Sequence, residues 1–250
     1  MVRSTIQDYL AGLRDKRVAV IGIGVSNTPL IKMLLRAGVE VTACDRRPRE
    51  AFAGQAEELE SLGARLRLGP DYLRDLDFDV IFRTPGMRPD LPELAQAVAR
   101  GAQLTSEMEV FFQVCPCRTI AVTGSDGKTT TTTIIAELLK AAGETVYVGG
   151  NIGKPLLPDV DGMEPGDTAV LELSSFQLMT MDRSPDIAVV TNLAPNHLDV
   201  HKSMEEYVAA KKNIFTHQGP KGLLVLNADN AITRGFAPED RGPVTLLSRR

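Results

Sequence analysis

Two segments of the chain repeat one pattern: an apolar, β-branched run passes straight into a glycine-rich turn, and a helical stretch follows. The first is RVAVIGI at 17–23 with Gly24-Val25-Ser26-Asn27 behind it, and the second is TIAVT at 119–123 with Gly124 to Thr130 behind it. An unbroken apolar run reads as a strand covered on both faces. Strand, glycine turn and helix in that order open a parallel βαβ unit. Further strand-like runs lie near 39–44, 65–68, 79–83 and 102–105, with helical stretches near 28–37, 55–62 and 91–100. Beyond Thr119 a helix is expected over 128–142, and strands near 145–149, 168–173, 187–192 and 222–226. Ser4 and Gln7 have capping-box spacing for a short first helix.

The expected fold is α/β: a Rossmann-like parallel-sheet domain over 1–117, then a P-loop-type α/β domain over 118–250. Cys115-Pro116-Cys117-Arg118 is the candidate boundary, and 250 residues suffice for two domains. A net charge of -4 gives no general attraction to nucleic acid or anionic membranes, so neither is expected as a partner. The N-terminal MVRSTIQDYL lacks a basic stretch followed by an apolar one, and the apolar runs are too short to cross a bilayer. Three cysteines and no secretory signal suggest a reducing compartment, so a cytoplasmic location is expected; a monomer is the expected state, on no residue pattern of its own. Cys115 and Cys117 have no second cysteine pair to complete a metal site.

The first loop, Gly22-Ile23-Gly24-Val25-Ser26-Asn27, is followed about 20 residues on by Asp45 at a strand end. Glycines let the backbone approach a diphosphate, and Asp45 can accept from a ribose or a base. Asn27 stands where the dinucleotide fingerprint has its third glycine. A tight turn without a ligand explains the same letters. Arg46 and Arg47 can meet an anion or simply be solvated.

The second loop is more specific. Gly127-Lys128-Thr129 is the GK[ST] core of a phosphate loop, although its leading glycine is Gly124 and Val122 holds the usual position. Backbone N–H groups can cradle phosphates, Lys128 can neutralise them, and the Thr129 hydroxyl can hold Mg²⁺. Glu172 sits inside the apolar run Ala169 to Leu173, where an unpartnered carboxylate is costly, so a metal or water is the expected partner. His197 and His201 have zinc spacing, but Pro195 places them in a loop, where an active-site or a plain surface role is open. Ser203 and Glu206 suggest a capped helix. On its apolar stripe of Met204, Tyr207, Val208, Ile214 and Phe215, Lys211 falls in the middle and Lys212 falls off. A buried lysine is paired or chemically altered; one at the stripe's margin can instead snorkel to solvent.

Taken together and in this order, these motifs resemble the Mur ligases. Gly124, Ser125, Asp126, Gly127, Lys128, Thr129 and Thr130 look like the family's ATP loop, and Gly150-Asn151-Ile152-Gly153 like the loop facing the transferred phosphoryl group. Glu172-Leu173-Ser174-Ser175-Phe176-Gln177-Leu178 is similar to the signature of the branch that adds D-glutamate. Asn196-His197-Leu198-Asp199 and Ala209-Ala210-Lys211 look like its histidine and its carbamylated lysine. Gly22 to Ser26, Asp45 to Arg47 and Thr84-Pro85-Gly86 resemble its uridine-diphosphate site.

The resemblance implies an ATP- and Mg²⁺-dependent amide ligase of peptidoglycan precursor synthesis. It would join D-glutamate to UDP-N-acetylmuramoyl-L-alanine through an acyl phosphate. Implied catalytic residues are Lys128, Asn151, Glu172, His197 and Lys211, and implied metal ligands are Thr129, Glu172, His197 and carbamylated Lys211. Gly24, Val25, Ser26, Asp45, Arg46, Arg47, Thr84, Pro85, Gly86, Asn151, Ser174 and Gln177 would bind substrate.

Asn196 stands where an acidic residue often precedes the family's histidine, and it receives no role. The family's third domain binds the amino acid and is expected to be missing here. The chain alone is therefore expected to be inactive, with a loosely packed sheet edge after 222–226. A nicotinamide-dependent dehydrogenase, a non-catalytic nucleotide sensor and another amino-acid ligase of the family are the alternatives.

Overall fold

Runs that are apolar on both faces can be satisfied only inside a layered structure, and the strands of this chain are so placed. The structure, a computed structural model, describes residues 4–195 and 201–249. It divides into two compact units. One runs to Cys115 and includes Leu157–Asp161; the other comprises Pro116–Leu156 and the chain from Gly162 onward.

The first unit opens with α1 (Ile6–Ala11). The sequence expectation for its cap is off by one residue. Thr5 is the extended residue before the helix, its hydroxyl accepts from the Asp8 amide at 3.1 Å, and the Asp8 carboxylate accepts from the Thr5 amide at 3.2 Å. Asp8 thus fills the place that the sequence reading gave to Gln7. β1 (Val18–Ile21) follows, buried at every position, then α2 (Asn27–Arg36) and β2 (Val41–Asp45). α3 (Gln55–Ser61), β3 (Arg65–Leu68), β4 (Val80–Phe82), α4 (Pro92–Ala99) and β5 (Gln103–Thr105) continue the alternation. All pairings are parallel, in the order β3-β2-β1-β4-β5. The order reverses between β1 and β4, so the loops leaving these two strands face one crevice, the usual ligand position in open α/β sheets.

α5 (Glu107–Val114) is absent from the sequence expectation. Its cap is Ser106, which accepts from the Glu109 amide at 3.3 Å. Its faces are nearly all buried, so it lacks the polar side that gives a surface helix its period. The buried Glu107 carboxylate accepts from the Leu157 amide at 2.9 Å, which ties the 157–161 turn into this unit.

The second unit contains β6 (Arg118–Thr123), α6 (Lys128–Ala141), β7 (Val146–Gly150), β8 (Thr168–Glu172), α7 (Ser175–Leu178) and β9 (Ile187–Val190). α8 (Met204–Lys212), β10 (Leu223–Asn227), α9 (Ala231–Arg234) and β11 (Val244–Leu247) complete it. The parallel sheet has the order β11-β10-β9-β6-β8-β7. β6 is again the strand at which the winding direction changes, and the second glycine loop leaves its carboxyl end. The expected loose edge after 222–226 is not what the structure shows: β11 pairs in parallel with β10, Leu224↔Val244 through Asn227↔Leu247. β11 leaves no strand signal in the sequence, because Leu246 and Leu247 are largely exposed and the strand lacks a two-faced apolar run.

All three cysteines are buried. Among the described residues no helix is long and apolar enough to cross a membrane. Amide exchange can test the docking of β11. The Leu224 and Ala228 amides, which donate to Pro243 and Leu247 at 3.1 and 2.8 Å, should exchange slowly. Exchange at the rate of an unstructured peptide would show that this edge is open.

Candidate functional sites

In the first unit the loops after β1, β2 and β4 surround a cleft of about 730 Å³. Of the expected substrate residues, Gly24, Asp45, Arg46, Arg47, Thr84 and Gly86 line it. Val25, Ser26 and Pro85 do not, and Val25 is 80% exposed. Asp45 is buried and does more than face a ligand. One oxygen accepts from the Ile23 amide at 2.8 Å, and both accept from the Arg47 guanidinium. Burial opposes the charge, but the hydrogen bonds from Arg47 and Ile23 outweigh it and hold the carboxyl below its usual range.

Arg47 is not simply solvated. Its Nη2 donates to the Ile23 carbonyl at 2.7 Å, and its guanidinium lies 4.4 Å from the Phe52 ring centroid. Asn27 replaces a packing glycine by tying back to β1, its amide donating to the Ile21 carbonyl at 2.9 Å. Tyr72, Met87, Arg88 and Leu91 complete the cleft wall. No motif marks them, because they come from loops whose placement depends on the folded sheet.

In the second unit the loop from Gly124 to Gly127 bends in two steps that favour glycine, with φ at +153° and +77°. A side chain at Gly124 would collide with the Thr191 hydroxyl. The segment after β9 holds the loop's outer side. The Asn192 carbonyl accepts from the Ser125 amide, and the Asn192 side chain accepts from the Asp126 amide, both at 2.9 Å. The Ser125 hydroxyl is 3.0 Å from the Tyr207 hydroxyl of α8. Lys128 folds over the loop and donates to the carbonyls of Gly124 and Ser125 at 3.1 and 3.0 Å. Thr130 lies in the exposed first turn of α6, whose N-terminal N–H groups can receive an anion.

Glu172, at the end of β8, gathers the remaining residues. It is 2% exposed, and its two oxygens accept from the Thr129 hydroxyl at 2.6 Å and the Asn151 amide at 2.8 Å. Asn151 reaches it because Gly150 has φ +93° and its Cα lies so close to the Glu172 carbonyl that a Cβ would collide. One carboxylate beside a hydroxyl is a hard oxygen set. It fits Mg²⁺, which takes few protein ligands and completes its shell with water and phosphate, rather than zinc. Among the described residues no three His, Cys, Asp or Glu side chains cluster as a metal cage.

Lys211 is 2% exposed and donates to the Thr123 hydroxyl at 3.1 Å and the Gly124 carbonyl at 3.0 Å. Lys212 turns away to Glu239. Burial pushes the Lys211 ammonium down to about 7; the Lys128 charge acts in the same direction and Glu172 opposes it.

His197 lies outside the described residues. His201 is buried, its Nε2 2.9 Å from the Ser175 hydroxyl and its ring stacked on Phe176 at 5.2 Å, so it serves packing around α7. Ser174 and Gln177 cap α7 reciprocally. The Gln177 carbonyl oxygen accepts from the Ser174 amide at 2.9 Å, which commits that oxygen within the helix turn.

Two parallel sheets with a glycine loop at each reversal point, one of them a phosphate-type loop beside a buried carboxylate, define an α/β protein of the doubly wound, phosphate-loop type. Residues 122–247 match the family model of the Mur ligase middle domain, half of the chain, and the chain belongs to the Mur ligase family. That removes the dehydrogenase alternative. The chain is 55% identical over 249 residues to the UDP-N-acetylmuramoylalanine–D-glutamate ligase of Ruminiclostridium cellulolyticum, covering 99% of this chain and 54% of that protein. It is 52% identical over 250 residues to the enzyme of the same name from Acetivibrio thermocellus, again covering 54% of the relative. The chain thus spans about half the length of the curated relatives it matches.

Among solved structures, the UDP-N-acetylmuramate:L-alanyl-gamma-D-glutamyl-meso-diaminopimelate ligase from Neisseria meningitides superimposes with a TM-score of 0.61. It is 20% identical, with 92% of this chain and 77% of that one covered, so it shows a shared fold.

The Lys211 environment makes a signed prediction. Its folded value lies below its unfolded one, so between about pH 7 and about 10.5 the unfolded chain binds a proton that the folded chain has released. Stability from this site therefore rises with pH across that window, and below about pH 7 the cost of burying the ammonium is present in full. In CO₂-free buffer, the wild-type Tm minus that of Lys211→Met should grow from neutral pH toward pH 10. A flat difference would show that Lys211 titrates normally.

Proposed function

We propose that this chain carries two of the substrate sites of an ATP-dependent ligase joining D-glutamate to UDP-N-acetylmuramoyl-L-alanine. In this reading, residues 1–117 take the uridine diphosphate moiety in the cleft around Gly24, Asp45, Arg46, Arg47, Thr84 and Gly86. Residues 118–250 hold ATP on the loop from Gly124 to Thr130. The observation that carries it is the convergence of Thr129 and Asn151 on the buried Glu172 carboxylate beside the Lys128 loop. The choice of D-glutamate rests on the names of relatives that match 99% or more of the chain.

The chemistry has two steps. A carboxylate oxygen of the alanyl group attacks the γ-phosphorus, the bond to ADP breaks, and an acyl phosphate forms. The amine of D-glutamate then attacks the acyl carbon, phosphate leaves with the C–O bond electrons, and the nitrogen loses a proton. Both steps bring anions together, so positive charge held in advance is the main requirement. Lys128 supplies it over the phosphates. Thr129 and Glu172 are the residues that would hold Mg²⁺, which when bound neutralises phosphate charge and orients the transferred group. Asn151 fixes the Glu172 carboxylate. Lys211, with part of its population neutral near pH 7, can add CO₂ through nitrogen and lose a proton, giving a carbamate whose negative charge would suit a neighbouring cation. His197 would be a further ligand of such a cation, through an imidazole nitrogen.

Calorimetry tests the layout. Lys128→Ala should weaken MgATP binding about tenfold or more and leave affinity for the UDP-linked substrate within about twofold, the spread expected of independent sites. Equal loss of both ligands in a folded variant would sink the assignment of one ligand to each unit. Glu172→Gln, which keeps the shape but loses the charge, should lower the Mg²⁺ dependence of ATP binding; an unchanged dependence would remove Glu172 from the metal site.

A further inference from the structure

Arg83 has no part in the motifs and no place in the lining of the cleft, yet it is among the largest fully buried side chains of the chain, 1% exposed. It follows β4 directly, and its amide donates to the Thr105 carbonyl of β5 at 2.9 Å, so its backbone still belongs to the sheet. Its guanidinium turns toward the next loop. Nη1 donates to the Pro85 carbonyl at 3.1 Å and the Met87 carbonyl at 3.0 Å. The Met87 amide closes the same turn onto the Thr84 carbonyl at 3.0 Å.

Three residues of this turn, Thr84, Gly86 and Met87, line the cleft. Thr84 also sets the distance to the opposite wall, because a Cβ built on Gly22 would stand 3.0 Å from the Thr84 Cβ. A burial this deep is costly for a guanidinium: desolvation pulls its ionisation below the usual range, against the charge of Glu109. An apolar side chain of similar volume would fill the space without that cost. What an apolar side chain cannot do is donate to two loop carbonyls that no neighbouring strand serves.

We propose that Arg83 is a positioning residue for the nucleoside-diphosphate cleft: it fixes the 84–87 turn in the shape that receives the ligand, without touching it. The proposal rests on the cleft reading given above. If it holds, affinity for UDP follows the turn's order rather than the stability of the unit.

UDP binding to the chain by calorimetry, together with amide exchange at Met87, tests this. Arg83→Met should raise the Kd for UDP about tenfold, the size expected for losing charge-assisted hydrogen bonds, and should speed exchange of the Met87 amide. Arg83→Lys, whose ammonium can reach one of the carbonyls, should recover part of the affinity. Leu59→Ala is the control: Leu59 is fully buried in α3 and outside the cleft lining. It should lower Tm at least as far while leaving the Kd within about twofold. If Arg83→Met does not fold, Arg83→Lys decides by the same two readouts. A wild type that binds UDP beside an Arg83 variant with unchanged Kd and unchanged Met87 exchange overturns the proposal alone. A Leu59→Ala loss of affinity that tracks its Tm also overturns it. A wild type that does not bind UDP overturns the cleft reading and the proposal with it.

Discussion

The carbonyl oxygen of Gly124 accepts from two lysines, Lys128 at 3.1 Å and Lys211 at 3.0 Å. Two ammonium groups within reach of one oxygen repel each other by on the order of a few kcal/mol at the effective dielectric of a protein. A chain that keeps both needs either an anion between them or a way to discharge one. The second route is built in, since burial lowers Lys211 to about 7 while Lys128 sits nearer solvent. The first is what a phosphate loop is for. The arrangement around it follows: glycine at 124 because the Thr191 hydroxyl occupies the Cβ position, Asn192 holding the loop from outside, and Glu172 as the opposing charge.

The two units solve one topological problem with different chemistry. Each opens at a strand where the winding of a parallel sheet reverses. In the first unit the loop after β1 is held by a carboxylate, Asp45, which also fixes Arg47. In the second the loop after β6 is held by neutral groups, leads into Lys128 and meets Lys211 from α8. Asp45 spends much of its hydrogen-bonding capacity on the Ile23 amide and the Arg47 guanidinium, so its first effect is to set where these two groups stand at the cleft.

Strand and helix positions were legible where burial is two-sided or periodic, as in Val18–Ile21 and Lys128–Ala141. α5 was not, because Met108, Val110, Phe111 and Phe112 are all buried and leave no polar face to mark its period. β11 was missed for the opposite reason, exposure of Leu246 and Leu247. For the sites, glycine and lysine in a fixed spacing announced the loops, whereas the contacts that shape them did not show. Thr191 and Tyr207 act across the fold, through partners at separations that no local pattern encodes, and Arg83 acts on a nearby turn through a burial that its own letters do not reveal. Gln177 shows the converse. It lies in a motif, yet its side-chain oxygen is occupied in capping α7.

The burial of all three cysteines has a practical side. Cys44, Cys115 and Cys117 are each 1% exposed or less, and burial raises the Cys44 thiol to about 11, far from the thiolate form that reacts. Alkylating dyes should therefore leave the folded protein unlabelled. A cysteine placed at Val25, 80% exposed at the tip of the first glycine loop, would be a single addressable thiol at the rim of the cleft. A fluorophore there would report the state of that loop with no background to subtract, and the appearance of further labelling would itself count unfolded molecules.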